Sequence, residues 1–192
     1  MAGVGLEYNV YATLTEDFDA GTVTYGPGKR GRKMIRADIK LNYAKAPLYG
    51  DNTTVEYARE FINGEITINQ DELTSTMRKD LLGNQTKSEK LGENTLEVIT
   101  GKDDDTPPFV GFGYIQSKTV DNTRQYRAIW YKKVQFGEPD ESAETKGESI
   151  VWQTPTIVGN ILKAADGEWK EEITVPALST AIAWLKNRAN IT

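Results

Sequence analysis

Alternation of apolar with polar residues dominates the chain and predicts β-strands. The clearest alternations run over residues 6–14, 35–41 and 62–68. Such a period of two is typical of a strand with one buried face. In residues 110–114 the apolar positions alternate with glycines, which indicates that a backbone or ring packs closely against that strand. The pattern therefore predicts a mainly β protein.

Two later runs are apolar on both faces. In residues 126–136, strict alternation places Trp130 and Val134 on one face, while Ile129 lies on the other. The run 150–162 is apolar on both sides and contains a proline. A sheet with one solvated face does not need a second apolar face. We therefore expect the second face to contact another surface.

Two helices are also predicted. The first covers about residues 70–82, with Asn69 or Asp71 as its N-terminal cap and Gly83 as its stop. The second covers about residues 176–188 and starts at a proline, a residue favoured in the first turn. The apolar stripes are formed by Leu73, Met77, Leu81 and Leu82 in the first helix and by Leu178, Ile182 and Leu185 in the second.

The segment 42–60 has no clear period, and Pro47 and Gly50 interrupt it. It is predicted to be a long loop, and loops of that length are usually functional. Together the patterns predict a single domain over residues 1–192. Its fold is a β-sandwich or barrel with one flanking helix and a helical C-terminal extension at about residues 176–192.

Composition narrows the possible chemistry. The 192 residues include neither Cys nor His, which excludes disulfides, thiol nucleophiles, His-based triads and the usual zinc sites. The net charge of −5 argues against nucleic-acid binding by bulk electrostatics. The N-terminal residues lack the basic start of a signal peptide, and no apolar run reaches the roughly 20 residues of a membrane span. We expect no catalysis, no cofactor, no metal site and no membrane contact.

Two charged motifs each have two interpretations. The sequence GPGKRGRK at residues 26–33 lacks the spacing of a P-loop; it is either a solvated hairpin end or a contact for an acidic neighbouring subunit. The run Asp103–Asp105, which two prolines soon follow, is a solvated turn or a weak Ca²⁺ or Mg²⁺ site, although it lacks the ligand pattern of an EF-hand. No carboxylate pair for glycoside hydrolysis stands out among the 28 acidic residues.

Four aromatic residues lie in or next to predicted strands and could form a sugar-binding face, although such residues more often belong to a core or an interface. They are Tyr114, Tyr126, Trp130 and Trp152.

A series of segments resembles the major tail proteins of long-tailed bacteriophages. These segments occur in that family's order and spacing and extend from near the N-terminus to about residue 172: VGLEYNVYATLTED, APLYGDNTTVEYA, GEITINQDEL with DLLG, PPFVGFGYIQSK, YRAIWYKKVQFGEPDESAETKGES, WQTPTIVGNI and DGEW. They are structural segments and carry no catalytic signature. The chain departs from the family at residues 50–52 and after about residue 176.

The resemblance implies a virion structural protein, made in the host bacterial cytoplasm. Its subunits would form six-fold rings that stack head to tail into the hollow tail tube, through which DNA is ejected without specific binding. The implied partners are further copies of the chain, the tape-measure protein, the tail terminator and the distal tail protein. We expect acidic or neutral side chains to outnumber basic ones along the channel, because fixed cations would bind the phosphates.

This function predicts two sets of contact residues. Ring stacking needs an arm that reaches the next ring, and we assign it to the segment 42–60, with weaker candidates in the acidic segment 138–148 and the C-terminal helix. The predicted stacking contacts are Leu48, Tyr49, Asp51 and Tyr57, and the predicted neighbour-facing sheet residues are Trp130, Tyr131, Trp152 and Ile157. Two alternatives remain: the inner tube of a contractile injection system, and a monomeric carbohydrate- or ligand-binding β-sandwich.

Overall fold

The structure is a computed structural model that describes residues 3–50, 53–120, 122–139, 145 and 152–192. The strands are β1 (Gly3–Asp17), β2 (Thr22–Tyr25), β3 (Lys29–Arg30), β4 (Met34–Gly50), β5 (Thr53–Gln70), β6 (Gln85–Leu91), β7 (Asn94–Thr100), β8 (Val110–Val120), β9 (Thr123–Phe136), β10 (Thr156–Leu162) and β11 (Lys170–Val175). The helices are α1 (Ser75–Met77), which continues into a π-helical turn (Arg78–Leu82), and α2 (Leu178–Arg188). The predicted mainly β architecture is confirmed.

One antiparallel sheet contains most of the strands, in the order β2-β1-β8-β9-β10-β5-β4. Strand β9 divides this sheet, because its first part pairs with β11 at Tyr126–Tyr131 and its last part pairs with β10 at Lys133–Phe136. Side chains from both halves then pack into one principal core, for example Phe112 of β8 and Ile66 of β5. The result is a β-sandwich whose two layers share a strand.

A β-bulge lies where β9 divides. Val110 pairs with Val134, but Phe112 pairs with Tyr131, so β9 holds one residue more than β8 in this interval. An extra residue reverses the alternation of side chains beyond it. Val134 therefore joins Tyr131 in the principal core. The prediction that Val134 shares a face with Trp130 is wrong for this reason.

The second apolar face of β9 is covered by the chain's own C-terminal helix. Trp130 and Ala128 belong to a second core, to which α2 contributes Ala181 and Leu185, each 0% exposed. The predicted apolar stripe and the approximate bounds of α2 are confirmed. The expectation that this face would be free for another surface is wrong, because α2 fills it.

The first helix is shorter than predicted. It begins at Ser75, and the hydroxyl of Thr74 accepts a hydrogen bond from the Met77 amide at 3.3 Å as its cap. Asn69 does not cap it, because β5 extends to Gln70 and the Asn69 amide donates to the segment before β10. The predicted end of this helix at Gly83 is confirmed, since Gly83 has a left-handed φ of 77°.

Residues 42–50 and 53–60 are paired strands of a β-hairpin and not a loop. Strands β4 and β5 remain paired from Met34–Gln70 to Gly50–Thr53. A second hairpin, formed by β6 and β7, is a separate two-stranded sheet. Gly92 supplies the positive φ, 63°, that its tight turn requires.

Candidate assembly surfaces

The far part of the β4–β5 hairpin extends beyond the packed body, and we call residues 44–50 and 53–60 the arm. Its base is held by Phe61, which stacks on Trp169 at 4.4 Å and meets Tyr43 edge-on at 5.9 Å. Beyond this base, residues 44–46 and 58–60 are exposed. At the usual rise of a strand the arm is about 20 Å long.

Among the residues that the structure describes, the arm is two-stranded, because β10 pairs with β5 between Gly64 and Asn69 and not farther out. Two-stranded ribbons are marginally stable in water unless another surface covers them. The arm therefore has the architecture of an element that a partner completes.

Strand β4 is the last strand in the sheet order, so no other described strand pairs with one edge of its 17 residues. An open edge of this length is a template for pairing with another chain. The edge position also explains how Pro47 fits within the strand, since no ladder hydrogen bond is needed on the open side.

Three of the predicted stacking residues lie on the arm. Leu48 and Tyr49 are in β4 and Tyr57 is in β5. Their side chains, and the whole of Asp51, fall outside the described residues, so their contacts remain a prediction. The sequence did contain evidence for a hairpin. Gly-Asp-Asn at residues 50–52 are turn-forming residues, and they lie between two runs of strand-forming residues.

The predicted neighbour-facing residues divide into two groups. Trp130, Tyr131 and Ile157 are buried within the chain, at 0%, 4% and 2% exposure. They have almost no surface to offer, so assigning them to a neighbour was wrong. Trp152 is 86% exposed, beside a segment that the Asn69 amide holds through Thr154 and Pro155.

The outward face of the β10–β5–β4 layer is polar and charge-balanced. Lys40 pairs with Glu65 at 3.3 Å, and Arg36 pairs with Asp38 at 2.6 Å. The other outward side chains are neutral; they include Asn42, Asn63, Thr67, Val158 and Asn160. This face contrasts with the outer face of the other layer, which α2 covers with an apolar surface.

Two lysines at the β9 bulge are buried, and each pairs with carboxylates. Lys133 pairs with Glu16, which also accepts a hydrogen bond from the Ala165 amide at 2.8 Å. Lys132 binds Asp166, and also Glu168 at 2.6 Å. Burial alone would lower the pKa of Lys132, but the hydrogen bonds to its carboxylate partners outweigh it and raise that pKa. These pairs hold the bulge in place, and we assign them a structural role.

The basic loop, residues 26–33, lies against β1 through the short strand β3. Lys29 pairs with Asp80 at 2.6 Å, and Arg32 pairs with Glu72 at 2.7 Å. Half of its cations are thus neutralised within the chain. The acidic turn, Asp103–Asp105, is exposed at its first two positions. Most of the acidic segment 138–148 falls outside the described residues.

Comparisons with known proteins found no family model that matches the chain and no curated protein that matches it. Among the described residues, no helix is long and apolar enough to cross a membrane.

Proposed function

We propose that the chain is the structural subunit of a bacteriophage tail tube. Copies of it form hexameric rings, and the rings stack head to tail into a hollow tube through which DNA is ejected. The observation that carries this function is the arm, a two-stranded ribbon about 20 Å long whose described side chains, at residues 44–46 and 58–60, are exposed. Between stacked rings, the body of the next subunit covers that ribbon.

Ring closure uses the open edges of the sheet. Strand β4 offers one long edge, and β2 and β11 offer shorter ones elsewhere on the subunit. Contacts between different edges are heterologous, and such contacts close into a ring when the rotation between copies fits. A closed ring removes the exposed edges that a free sheet would present.

The outward face of the β10–β5–β4 layer lines the channel in this arrangement. Outside the arm, the charged residues that the structure describes on this face form two ion pairs, Arg36–Asp38 and Lys40–Glu65. Such a surface offers few free cations to DNA phosphates, so DNA passes without being held. The expectation that acidic or neutral side chains outnumber basic ones along the channel stays a prediction.

The virion tail is then the location of the protein. Its partners are its own copies and the proteins at the ends and in the interior of the tail: the tape measure, the tail terminator and the distal tail protein. The inner tube of a contractile injection system would use the same surfaces, and the described residues favour neither cargo by a specific contact.

The alternative of a monomeric sugar-binding sandwich predicts a concentrated patch of exposed aromatic rings. Of the four aromatics considered for it, Trp130 and Tyr114 are buried, Tyr126 is half-buried and Trp152 is exposed. These four side chains form no such patch, which favours the assembly function over sugar binding.

Size-exclusion chromatography with light scattering tests the proposed function. The subunit mass is 21.4 kDa, so a hexameric ring has a mass of about 6 × 21.4 = 128 kDa, and stacked rings are multiples of it. A mass of 21.4 kDa at every concentration, together with binding to a glycan panel, would support the sugar-binding alternative.

A further inference from the structure

Strand β5 carries the arm at its N-terminal end and reaches a second exposed surface at its C-terminal end. The arm takes up residues 53–60 of the strand, whereas Asn69 and Gln70 are its last two residues. The distance from Glu60 to Asn69 is about 30 Å at the usual rise of a strand. The arm and the second surface therefore lie at opposite ends of the same strand.

The segment before β10 is fixed to the end of β5 that lies away from the arm. The Asn69 Nδ2 donates a hydrogen bond to the Thr156 hydroxyl at 2.9 Å and to the Pro155 carbonyl at 3.2 Å. The Thr154 hydroxyl donates to the Asn69 Oδ1 at 3.1 Å, and the Gln70 backbone amide donates to the Pro155 carbonyl at 3.2 Å. These bonds hold the backbone of residues 154–156 in one position.

Two exposed apolar side chains lie at this end of β5. Trp152 comes two residues before the fixed segment and is 86% exposed, the largest fraction among the large apolar side chains that the structure describes. Ile35 is 56% exposed and lies in the irregularity of β4 opposite residues 69–70. We call Trp152, Ile35 and residues 154–156 the platform. An exposed indole is typical of an interface anchor, because a rigid ring buries a large apolar area at little entropic cost.

The arm has a face of small side chains that fits such an anchor. Ala46 pairs with Ala58 across the ribbon, and Ala44 lies on the same face, two residues before Ala46. All three alanines are exposed. Small side chains leave a flat surface, and large residues pack best against small ones on the facing element.

Head-to-tail stacking brings the arm end of one subunit onto the opposite end of the next. We propose that the arm of one copy binds the platform of the next copy, with the Trp152 indole packed on the alanine face of the arm. This contact rests on the proposed function, and it supplies the surface that covers the arm between rings.

The other exposed large apolar side chains suit this contact less well. Ile62 lies at the base of the arm itself, and Val158 lies on the outward face of its layer. Phe18 belongs to the turn between β1 and β2, in the other layer. Leu91 and Leu96 lie on the β6–β7 hairpin, which no other described strand supports. Trp152 is the one of this set that adjoins a backbone fixed at the end of β5.

Truncation of Trp152 tests the contact against a matched control. Trp152→Ala should lower the fraction of rings found in tubes at least about tenfold, as loss of an interface anchor does. Its thermal unfolding midpoint should equal that of the wild type, because the side chain is exposed. Trp152→Phe keeps an aromatic ring and should retain part of the stacking. Phe18→Ala removes an aromatic side chain that is 72% exposed and should stack as the wild type does in negative-stain electron microscopy.

Engineered cysteines test the same contact without a count of tubes, since the chain has no Cys of its own. Gln153→Cys keeps Trp152 and is mixed with mass-tagged Ala46→Cys at high protein concentration under oxidising conditions. Neighbouring cysteines in an assembly have an effective concentration in the millimolar range. This pair should therefore form mixed disulfide dimers at least about tenfold faster than the control pair of Gln153→Cys with Ala183→Cys, which lies on the exposed face of α2.

The outcomes separate this contact from the proposed function. Tubes of wild-type length in Trp152→Ala, or equal cross-linking in the two cysteine pairs, would overturn the contact and leave the proposed function standing. Specific cross-links in a protein that forms no six-fold rings would support the contact and count against the proposed function. A wild type that stays monomeric and yields no specific cross-link would contradict both. Binding to a glycan panel that Trp152→Ala abolishes would assign Trp152 to sugar binding and overturn the contact.

Discussion

Trp130 and Val134 lie four residues apart in one strand, yet their side chains point to opposite faces of the sheet. Trp130 is in the core beneath α2, and Val134 is in the core between the two layers. The bulge between them reverses the alternation, and it coincides with the point where β9 changes its partner from β11 to β10. One strand therefore serves both cores and leaves its apolar faces covered by the chain itself.

The close approach of Trp130 to β8 predicts that Gly111→Ala is strongly destabilising. A Cβ at position 111 would lie 2.2 Å from Trp130 Cζ2 and 2.6 Å from Tyr25 Cε1. Overpacking of this kind costs about 1–3 kcal/mol or more, which urea denaturation would measure. Gly101→Ala, where a Cβ meets nothing within 4 Å, is the control and should change stability by less than about 0.5 kcal/mol. Equal stability of the two variants would contradict the packing described for β8.

Because α2 covers the second core, we expect Leu185→Ala to lower the stability of the protein strongly. Leu185 is 0% exposed, and truncating a buried leucine costs about 2–5 kcal/mol in the free energy of unfolding. Ala183→Ser, at an exposed position of the same helix, should cost less than about 1 kcal/mol. A Leu185→Ala protein as stable as the wild type would show that α2 does not pack on the sheet in solution.

The buried pair of Lys133 and Glu16 predicts that single and double variants differ in stability. Their side chains are 9% and 7% exposed, so Glu16→Leu leaves a buried lysine without its counter-charge and costs about 3–5 kcal/mol. Adding Lys133→Met removes that charge and should recover most of the loss, as a double-mutant cycle would measure. Additive losses in the two single variants would show that the side chains do not interact.

The burial of Tyr25 predicts that the folded protein loses stability at alkaline pH. Burial raises the pKa of Tyr25 from 10.0 to about 12, so the unfolded chain loses this proton at a lower pH than the folded chain. The stabilisation is complete below pH 10 and is lost as the pH rises from about 10 to about 12. Its size is at most about 3 kcal/mol. Tyr25→Phe should unfold with a flatter dependence on pH in this range, and an unchanged slope would contradict the assignment.

Alternation and helical spacing predicted the regular parts of the fold. Strand β5 buries Ile66 and Ile68, and α2 buries Leu185, as their spacing required. These features depend on local periodicity, which a sequence displays directly.

The alternation fails at Ile35 and Ile62, which are exposed. The expectation that β1 has one buried face is wrong, because Asn9 and Tyr11 are buried as well as Val10 and Ala12.

The features that were missed depend on distant parts of the chain. The bulge in β9 is fixed by partners that are far away in sequence, Glu16 and Asp166. The apolar run 126–136 suggested a neighbouring subunit because no local signal shows that α2 returns to cover it. The arm lost its period at its described positions, residues 44–46 and 58–60, because they are exposed and no buried face selects apolar residues there.

The arm gives the most direct test of the central claim. In a shortened variant, residues 45–59 are replaced by an Asn-Gly turn, so that Tyr43 and Phe61 keep their contacts at the base. The measurement is negative-stain electron microscopy of the concentrated wild type and the variant side by side. We expect stacked rings with six-fold end views for the wild type and folded, unstacked subunits or single rings for the variant. Monomers alone in the wild type, or tubes of equal length in both proteins, would contradict it.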